Sequence, residues 1–151
     1  MKNIQMVDLK SQYHKIKDQI DTAVIQTIES TSFINGPTVK EFANSLENYL
    51  DVKHVIPCAN GTDALQIALM ALSLKPGDEV ICPSFTYVAT AEVISLLGLS
   101  PVMTDVEPDT FHITADIIRP HITSKTKVII PEHHYGQSSD MEGIMNCAKE
   151  I

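Results

Sequence analysis

The sequence contains no tryptophan, few aromatic residues and only three cysteines in 151 residues. Cys58, Cys82 and Cys147 are odd in number, widely spaced and form no CxxC pair, which argues against a disulfide framework or a structural zinc site. We expect reduced, mostly buried thiols. Basic residues are also scarce: eleven Lys and Arg stand against nineteen Asp and Glu, for a net charge of −8. This balance, without a basic stripe, excludes nucleic acid and anionic membrane as expected partners.

Long apolar runs are absent as well. No window approaches the roughly twenty apolar residues of a membrane span, and Met1 to Gln5 lack the apolar core of a signal peptide. We therefore expect a cytoplasmic protein. With 44% hydrophobic residues, the chain can bury the core of one domain.

The hydrophobic pattern predicts an α/β fold. Apolar residues recur every fourth position from Ile16 to Ile28, which predicts a helix over 11–29, and a second helix over 39–50 has Pro37 near its first turn. Short β-rich runs then alternate with helical runs, as in βαβ units that build a mostly parallel sheet with helices on both faces. The predicted strands are 53–58, 79–82, 101–105 and 127–130, and the predicted helices are 62–74, 87–97, a short one from Thr114 and a last one from about Asp140.

Cys58-Ala-Asn-Gly-Thr-Asp-Ala-Leu65 joins the first of these strands to a helix. The first amides of a helix have no intrahelical acceptor, and the helix dipole favours a phosphate there. Gly61 allows close backbone approach or a positive φ, while Thr62 and Asp63 can cap free amides. An ordinary capped turn stays an equal alternative, because neither glycine-rich nucleotide-binding pattern is present. Ligands of parallel sheets bind at the carboxyl edge, where this loop falls.

Further motifs accompany this loop in order: Phe33-Ile-Asn-Gly-Pro-Thr-Val39, Gly77-Asp-Glu-Val-Ile81, Pro83-Ser-Phe-Thr-Tyr-Val-Ala-Thr-Ala91 and Tyr135-Gly136-Gln137. Together the motifs resemble the PLP-dependent nucleotide-sugar aminotransferases of the DegT/StrS type, over essentially the whole chain. The residues in these motifs are most similar to those of enzymes that aminate a 3-keto UDP-N-acetylhexosaminuronic acid for surface polysaccharide. The resemblance implies the N-terminal part of a fold-type I large domain: an N-terminal helical segment, 1–50, and the first part of the PLP-binding domain, 51–151.

The resemblance also implies a cofactor site for pyridoxal 5'-phosphate. Gly61 and Thr62 are expected to hold the phosphate, and Tyr87 is expected to stack on the pyridine ring, with a packed strand-end tyrosine as the alternative. Asp63 belongs to the same loop but is expected to cap the helix, because a carboxylate repels a phosphate. Implied partners are a nucleotide-sugar substrate, glutamate as amino donor and, at full length, a second subunit in a homodimer.

The lysine and carboxylate that transamination requires are not expected in this chain. The Schiff-base Lys and the pyridinium Asp of the family would lie beyond residue 151, as would the small C-terminal domain, so we assign no catalytic residue and expect a truncated, inactive chain. The alternatives are a non-catalytic remnant that binds phosphate or PLP or pairs with an intact homologue, and a fragment without function.

Three residues depart from the family pattern. Glu132 and His134 stand where relatives usually carry apolar residues, at positions where unpaired polar groups would cost several kcal/mol (roughly 2–7). Pro120 interrupts the predicted helix that begins at Thr114, and a proline inside a helix destabilises it by about 3 kcal/mol. One hypothesis for these changes is relaxed selection on a truncated chain. The alternative is a local adaptation in which Glu132 pairs with His133 or His134. We expect no metal site, because adjacent extended side chains point to opposite faces.

Overall fold

A computed structural model describes Ile4 and residues 6–151; the remaining N-terminal residues, considered above for a signal peptide, lie outside the described part. The chain divides into two compact units, Met1–Pro57 and Cys58–Ile151. The division into a helical segment ending at residue 50 and a cofactor domain stays a prediction.

Two helices form the described part of the first unit. Helix α1 (Leu9–Ser30) begins at Asp8, whose carboxylate accepts a hydrogen bond from the Ser11 amide at 3.0 Å. Hydrogen bonding to Ser11 holds the pKa of Asp8 below its usual value. Helix α2 (Pro37–Leu50) follows Gly36, with proline in its first turn as predicted. A Cβ on Gly36 would lie 2.1 Å from the Ser32 carbonyl oxygen, which explains the glycine at this buried position.

The second unit is built around a parallel sheet of three strands, β1 (Glu79–Pro83), β2 (Ser100–Thr104) and β3 (Thr126–Ile129). Their order in the sheet is β2-β1-β3. The central strand pairs with both neighbours and is almost entirely buried. The helices are α3 (Gly61–Ala71), α4 (Ala89–Leu96), α5 (Ala115–Ile118) and α6 (Met141–Ala148), with short 3-10 turns at Arg119–His121 and His134–Gly136.

Alternation along β1 divides the core into two hydrophobic clusters. Val80 and Cys82 pack with residues of α3 and α4, including Leu69 and Val93. Ile81 packs in a separate cluster with residues of α5 and α6. Successive strand side chains point to opposite faces, so helices cover both sides of the sheet, as the sequence predicts. Burial raises the pKa of the Cys82 thiol to about 11.

The predicted strand over 53–58 is wrong. Residues 54–58 have no regular secondary structure. A strand needs a neighbour for its backbone groups, and this segment pairs with no strand among the described residues. The cysteines are mostly buried, as expected: Cys82 and Cys147 are buried, whereas Cys58, at the end of this segment, is exposed.

Pro120 does not interrupt an α-helix. Helix α5 ends at Ile118, and Pro120 lies in the first positions of the following 3-10 turn. A proline there removes no interior α-helical hydrogen bond. The predicted cost of about 3 kcal/mol therefore does not arise.

Candidate functional site

A cavity of about 440 Å³ opens beside the carboxyl ends of β1 and β3. Gly61 and Thr62 of α3 line it, together with Tyr87 from the segment after β1 and Glu132 from the segment after β3. The structure thus brings together three of the four predicted cofactor residues. Asp63 is not among the lining residues. The volume falls in the range of small-molecule sites.

The N-terminus of α3 is capped by Asn60. Its side-chain oxygen accepts a hydrogen bond from the Asp63 amide at 2.9 Å, and its side-chain nitrogen donates to the Asp63 carboxylate at 3.1 Å. The cap predicted at Thr62 or Asp63 is therefore Asn60, with Asp63 as its partner. Because this cap uses the third helical amide, the amides of Gly61 and Thr62 remain available to an anion at the cavity wall.

Gly61 does not take the positive φ that its residue type allows, since it lies at the start of α3 and positive φ occurs at Gly77, Gly98 and Gly136. A Cβ built on Gly61 meets nothing within 4 Å in the described chain. The protein's own packing therefore does not require a glycine here. The missing side chain instead leaves room in the cavity for a ligand close to the backbone.

Tyr87 is 73% exposed and lines the cavity just before α4. Such exposure does not fit a tyrosine packed at a strand end. An exposed ring on a cavity wall offers a flat apolar surface to an aromatic ligand. Stacking by Tyr87 stays a prediction.

The carboxylate of Glu132 contacts two side chains, Thr86 and His134. The Thr86 hydroxyl donates to Glu132 Oε2, and His134 Nε2 lies 3.5 Å from the same oxygen. His134 Nε2 is also 2.9 Å from the carbonyl oxygen of Phe85. A carbonyl only accepts, so Nε2 carries the hydrogen. The pairing considered for Glu132 is thus with His134, and both side chains are partly buried rather than in the core.

His112 extends this cluster away from the cavity. Its ring stacks on that of His134, with centroids 6.4 Å apart and planes 9° apart. It is 4% exposed, and its Nε2 has no hydrogen-bond partner among the described residues. Sequence reasoning missed Thr86 and His112 as neighbours of the pair, because each comes from a different loop at the same edge of the sheet.

Comparison with known proteins and solved structures identifies the family of this chain. A model of the DegT/DnrJ/EryC1/StrS aminotransferase family matches residues 14–151. The chain belongs to the DegT/DnrJ/EryC1/StrS aminotransferase family. The resemblance of the motifs and the predicted fold class are confirmed, as is pyridoxal phosphate as the family's cofactor.

Among DegT/DnrJ/EryC1/StrS relatives, the UDP-2-acetamido-2-deoxy-3-oxo-D-glucuronate aminotransferase of Pseudomonas aeruginosa is 47% identical over 147 residues. That match covers 97% of this chain and 41% of the relative. A family aminotransferase from Brucella abortus superposes with a TM-score of 0.88 at 37% identity, covering 98% of this chain and 42% of that one. NtdA from Bacillus subtilis, solved with bound PMP, superposes with a TM-score of 0.89 at 34% identity. That match covers 99% of this chain and 35% of the NtdA chain. The chain thus spans about two fifths of such relatives.

Two further observations concern other site types. Within residue 4 and residues 6–151, no group of three or more His, Cys, Asp or Glu side chains is arranged to hold a metal ion. In the same part of the chain, no helix has the length and apolar character needed to cross a membrane.

Proposed function

We propose that this chain forms the phosphate-binding part of the cofactor site of a PLP-dependent aminotransferase acting on a nucleotide-linked keto sugar. Family membership supports the reaction class, and the 47% identical Pseudomonas aeruginosa relative supports a UDP-linked 3-oxo sugar acid as substrate. The product would serve polysaccharide precursor synthesis. Glutamate as donor and a homodimer of the whole protein are part of the same proposal.

One observation carries the proposal: Gly61, Thr62 and Tyr87 line a single cavity of about 440 Å³. Gly61 and Thr62 begin α3 and Tyr87 precedes α4, so the three residues come from two segments that are separated along the chain. Helix amides suit a phosphate, and an exposed tyrosine ring suits an aromatic heterocycle. A phosphorylated pyridine carries both groups. The residues present therefore fit the family's cofactor.

Each residue has a binding or orienting role. The amides of Gly61 and Thr62, with the Thr62 hydroxyl, donate to the phosphate, and Tyr87 stacks on the ring. Asn60 and Asp63 satisfy each other and fix the first turn of α3. When bound, pyridoxal phosphate supplies an electron sink for reactions at an amine-bearing carbon. We assign no proton-transfer group, because no lysine lines the cavity in the described chain.

Competition between PLP and inorganic phosphate tests the proposal. We expect wild-type chain to bind PLP in a phosphate-competitive manner. Gly61→Asp should weaken PLP binding at least about tenfold, since it places a carboxylate against the phosphate. Gly61→Ala is the matched control for backbone effects, because its Cβ meets no protein atom within 4 Å. Equal PLP affinities for wild type and Gly61→Asp would refute the proposed phosphate site.

A further inference from the structure

The cavity has two polar walls of opposite electrical sign. On one wall, Gly61 and Thr62 present the N-terminus of α3, an 11-residue helix whose dipole places partial positive charge there. On another wall stands the carboxylate of Glu132. A carboxylate in a cavity that takes an anion repels that anion, unless the occupant also carries a cation.

Several contacts hold Glu132 in this position. Both recorded contacts of its carboxylate, to Thr86 and His134, use Oε2, and the described residues form no hydrogen bond with Oε1. The backbone is also fixed, because the Ser139 hydroxyl donates to the Glu132 carbonyl at 2.8 Å and the Ser139 amide donates to His133 Nδ1 at 3.0 Å. Oε1 is therefore the acceptor that remains for an occupant.

The neighbouring residues contact Glu132 at Oε2, and no positively charged side chain of the described residues contacts Oε1. His134 is only 16% exposed at its side chain and is already engaged with the Phe85 carbonyl, whereas Glu132 is 33% exposed and faces the cavity. A purely structural ion pair would not need to line the cavity. The geometry leaves one carboxylate oxygen for a donor that arrives with the ligand.

We propose that Glu132 is a ligand-contacting residue that selects an occupant with an anionic end and a protonated nitrogen, the anionic end lying at Gly61 and Thr62. This inference rests on the proposed function and adds a residue to it. Thr86 and His134 are positioning residues that aim the carboxylate. An occupant of this class is pyridoxamine 5'-phosphate, which combines a phosphate ester with protonated nitrogens.

Two probes separate the charges. Pyridoxamine 5'-phosphate carries the phosphate and the cation, and phenyl phosphate carries the phosphate and a neutral ring. Wild-type chain should bind the first more tightly. Glu132→Gln should lower the affinity for pyridoxamine 5'-phosphate about tenfold, the loss expected for one charge-assisted hydrogen bond. It should leave phenyl phosphate binding unchanged or stronger. Calorimetric titration measures both.

Matched variants make the result specific. Glu142→Gln removes the same charge from an exposed position on α6 and should change neither affinity. His134→Leu should shift the ratio of the two affinities in the same direction as Glu132→Gln, by a smaller factor. A structural role alone would change both affinities together, so the ratio is the decisive readout.

Opposite outcomes overturn the inference. If Glu132→Gln leaves the ratio of the two affinities unchanged, or strengthens both ligands equally, Glu132 does not receive a cation. Failure of the proposed function is visible separately, since wild-type chain would then bind neither phosphate ester, or Gly61→Asp would leave both affinities unchanged. In the first of these cases the inference falls as well, because no occupant enters the cavity.

Discussion

Asn60 caps α3 beside the cavity without lining it. Its side chain occupies the third amide of α3 and engages the Asp63 carboxylate, which keeps that charge within the cap. The residue type at Asn60 follows from its capping role, whereas packing against the described residues does not require a glycine at position 61. The proposed role of Gly61 in binding is therefore separate from the stabilising role of Asn60.

Removing the cap should destabilise the second unit. Asn60→Ala loses the acceptor for the Asp63 amide, and we expect a loss of about 1 kcal/mol in the free energy of unfolding. Asn60→Ser restores an acceptor and should recover most of that loss. Urea denaturation of the three proteins measures both effects. A full loss in Asn60→Ser would show that the acceptor is not what stabilises the helix.

The cysteines should differ sharply in reactivity. Cys58 is exposed, while Cys82 is buried and its pKa is raised to about 11, which leaves little thiolate near neutral pH. Iodoacetamide should therefore label Cys58 first in the native chain, and Cys58→Ser should abolish the rapid phase. Labelling of all three thiols at one rate in the native chain would contradict the buried position of Cys82.

Burial of Cys82 should also make the free energy of unfolding depend on pH. Its pKa is higher in the folded than in the unfolded chain, so folding retains a proton that unfolding releases at high pH. The stabilisation is complete below the ordinary thiol pKa of 9.0 and is lost as pH rises towards about 11. The stability advantage of wild type over Cys82→Ala should therefore shrink across this window in urea denaturation.

Secondary-structure elements with their own periodicity could be predicted closely from the sequence. The strand predicted at 79–82 is observed as β1, Glu79–Pro83, and the helix predicted over 11–29 is observed as α1, Leu9–Ser30. Their hydrophobic patterns carry the information locally. The segment 53–58 also has a strand-like pattern, but a strand exists only with a paired neighbour, which a local pattern does not specify.

In the site, too, contiguous motifs could be predicted from the sequence, whereas contacts between distant residues could not. The loop 60–63 and Tyr87 could be identified from motifs, because each motif is contiguous. Where the carboxylate of Glu132 points could not, because it depends on Thr86 and His134, which meet it only in the folded chain. The sequence offered a choice of His133 or His134 as partner. In the folded chain His134 is the neighbour, with its Nε2 3.5 Å from Glu132 Oε2.

Gly36 gives a test at the level of a helix start. Gly36→Ala would bring a Cβ to 2.1 Å from the Ser32 carbonyl oxygen, and the backbone would have to move. We expect a loss of about 1–3 kcal/mol, as for overpacked sites. Gly61→Ala is the control, with an expected change within about 0.5 kcal/mol. Thermal unfolding followed by circular dichroism compares them, and equal behaviour would contradict the crowding at Gly36.

At the scale of the whole molecule, family membership and the match along almost the entire chain establish the fold and the reaction class of the relatives. The 151 residues cover 41% of the Pseudomonas aeruginosa relative, and the cavity presents binding groups without a lysine in the described chain. Because no lysine lines this cavity among the described residues, we propose that the cavity binds its cofactor without a covalent bond.

Borohydride reduction of the chain mixed with PLP tests this claim most directly. We predict bound PLP that inorganic phosphate displaces and that Gly61→Asp binds at least about tenfold more weakly. After reduction, we predict no stoichiometric attachment of a pyridoxyl group to any one lysine. Stable attachment to one lysine would contradict the absence of a nucleophile, and a lack of any phosphate-competitive binding would contradict the cofactor site itself.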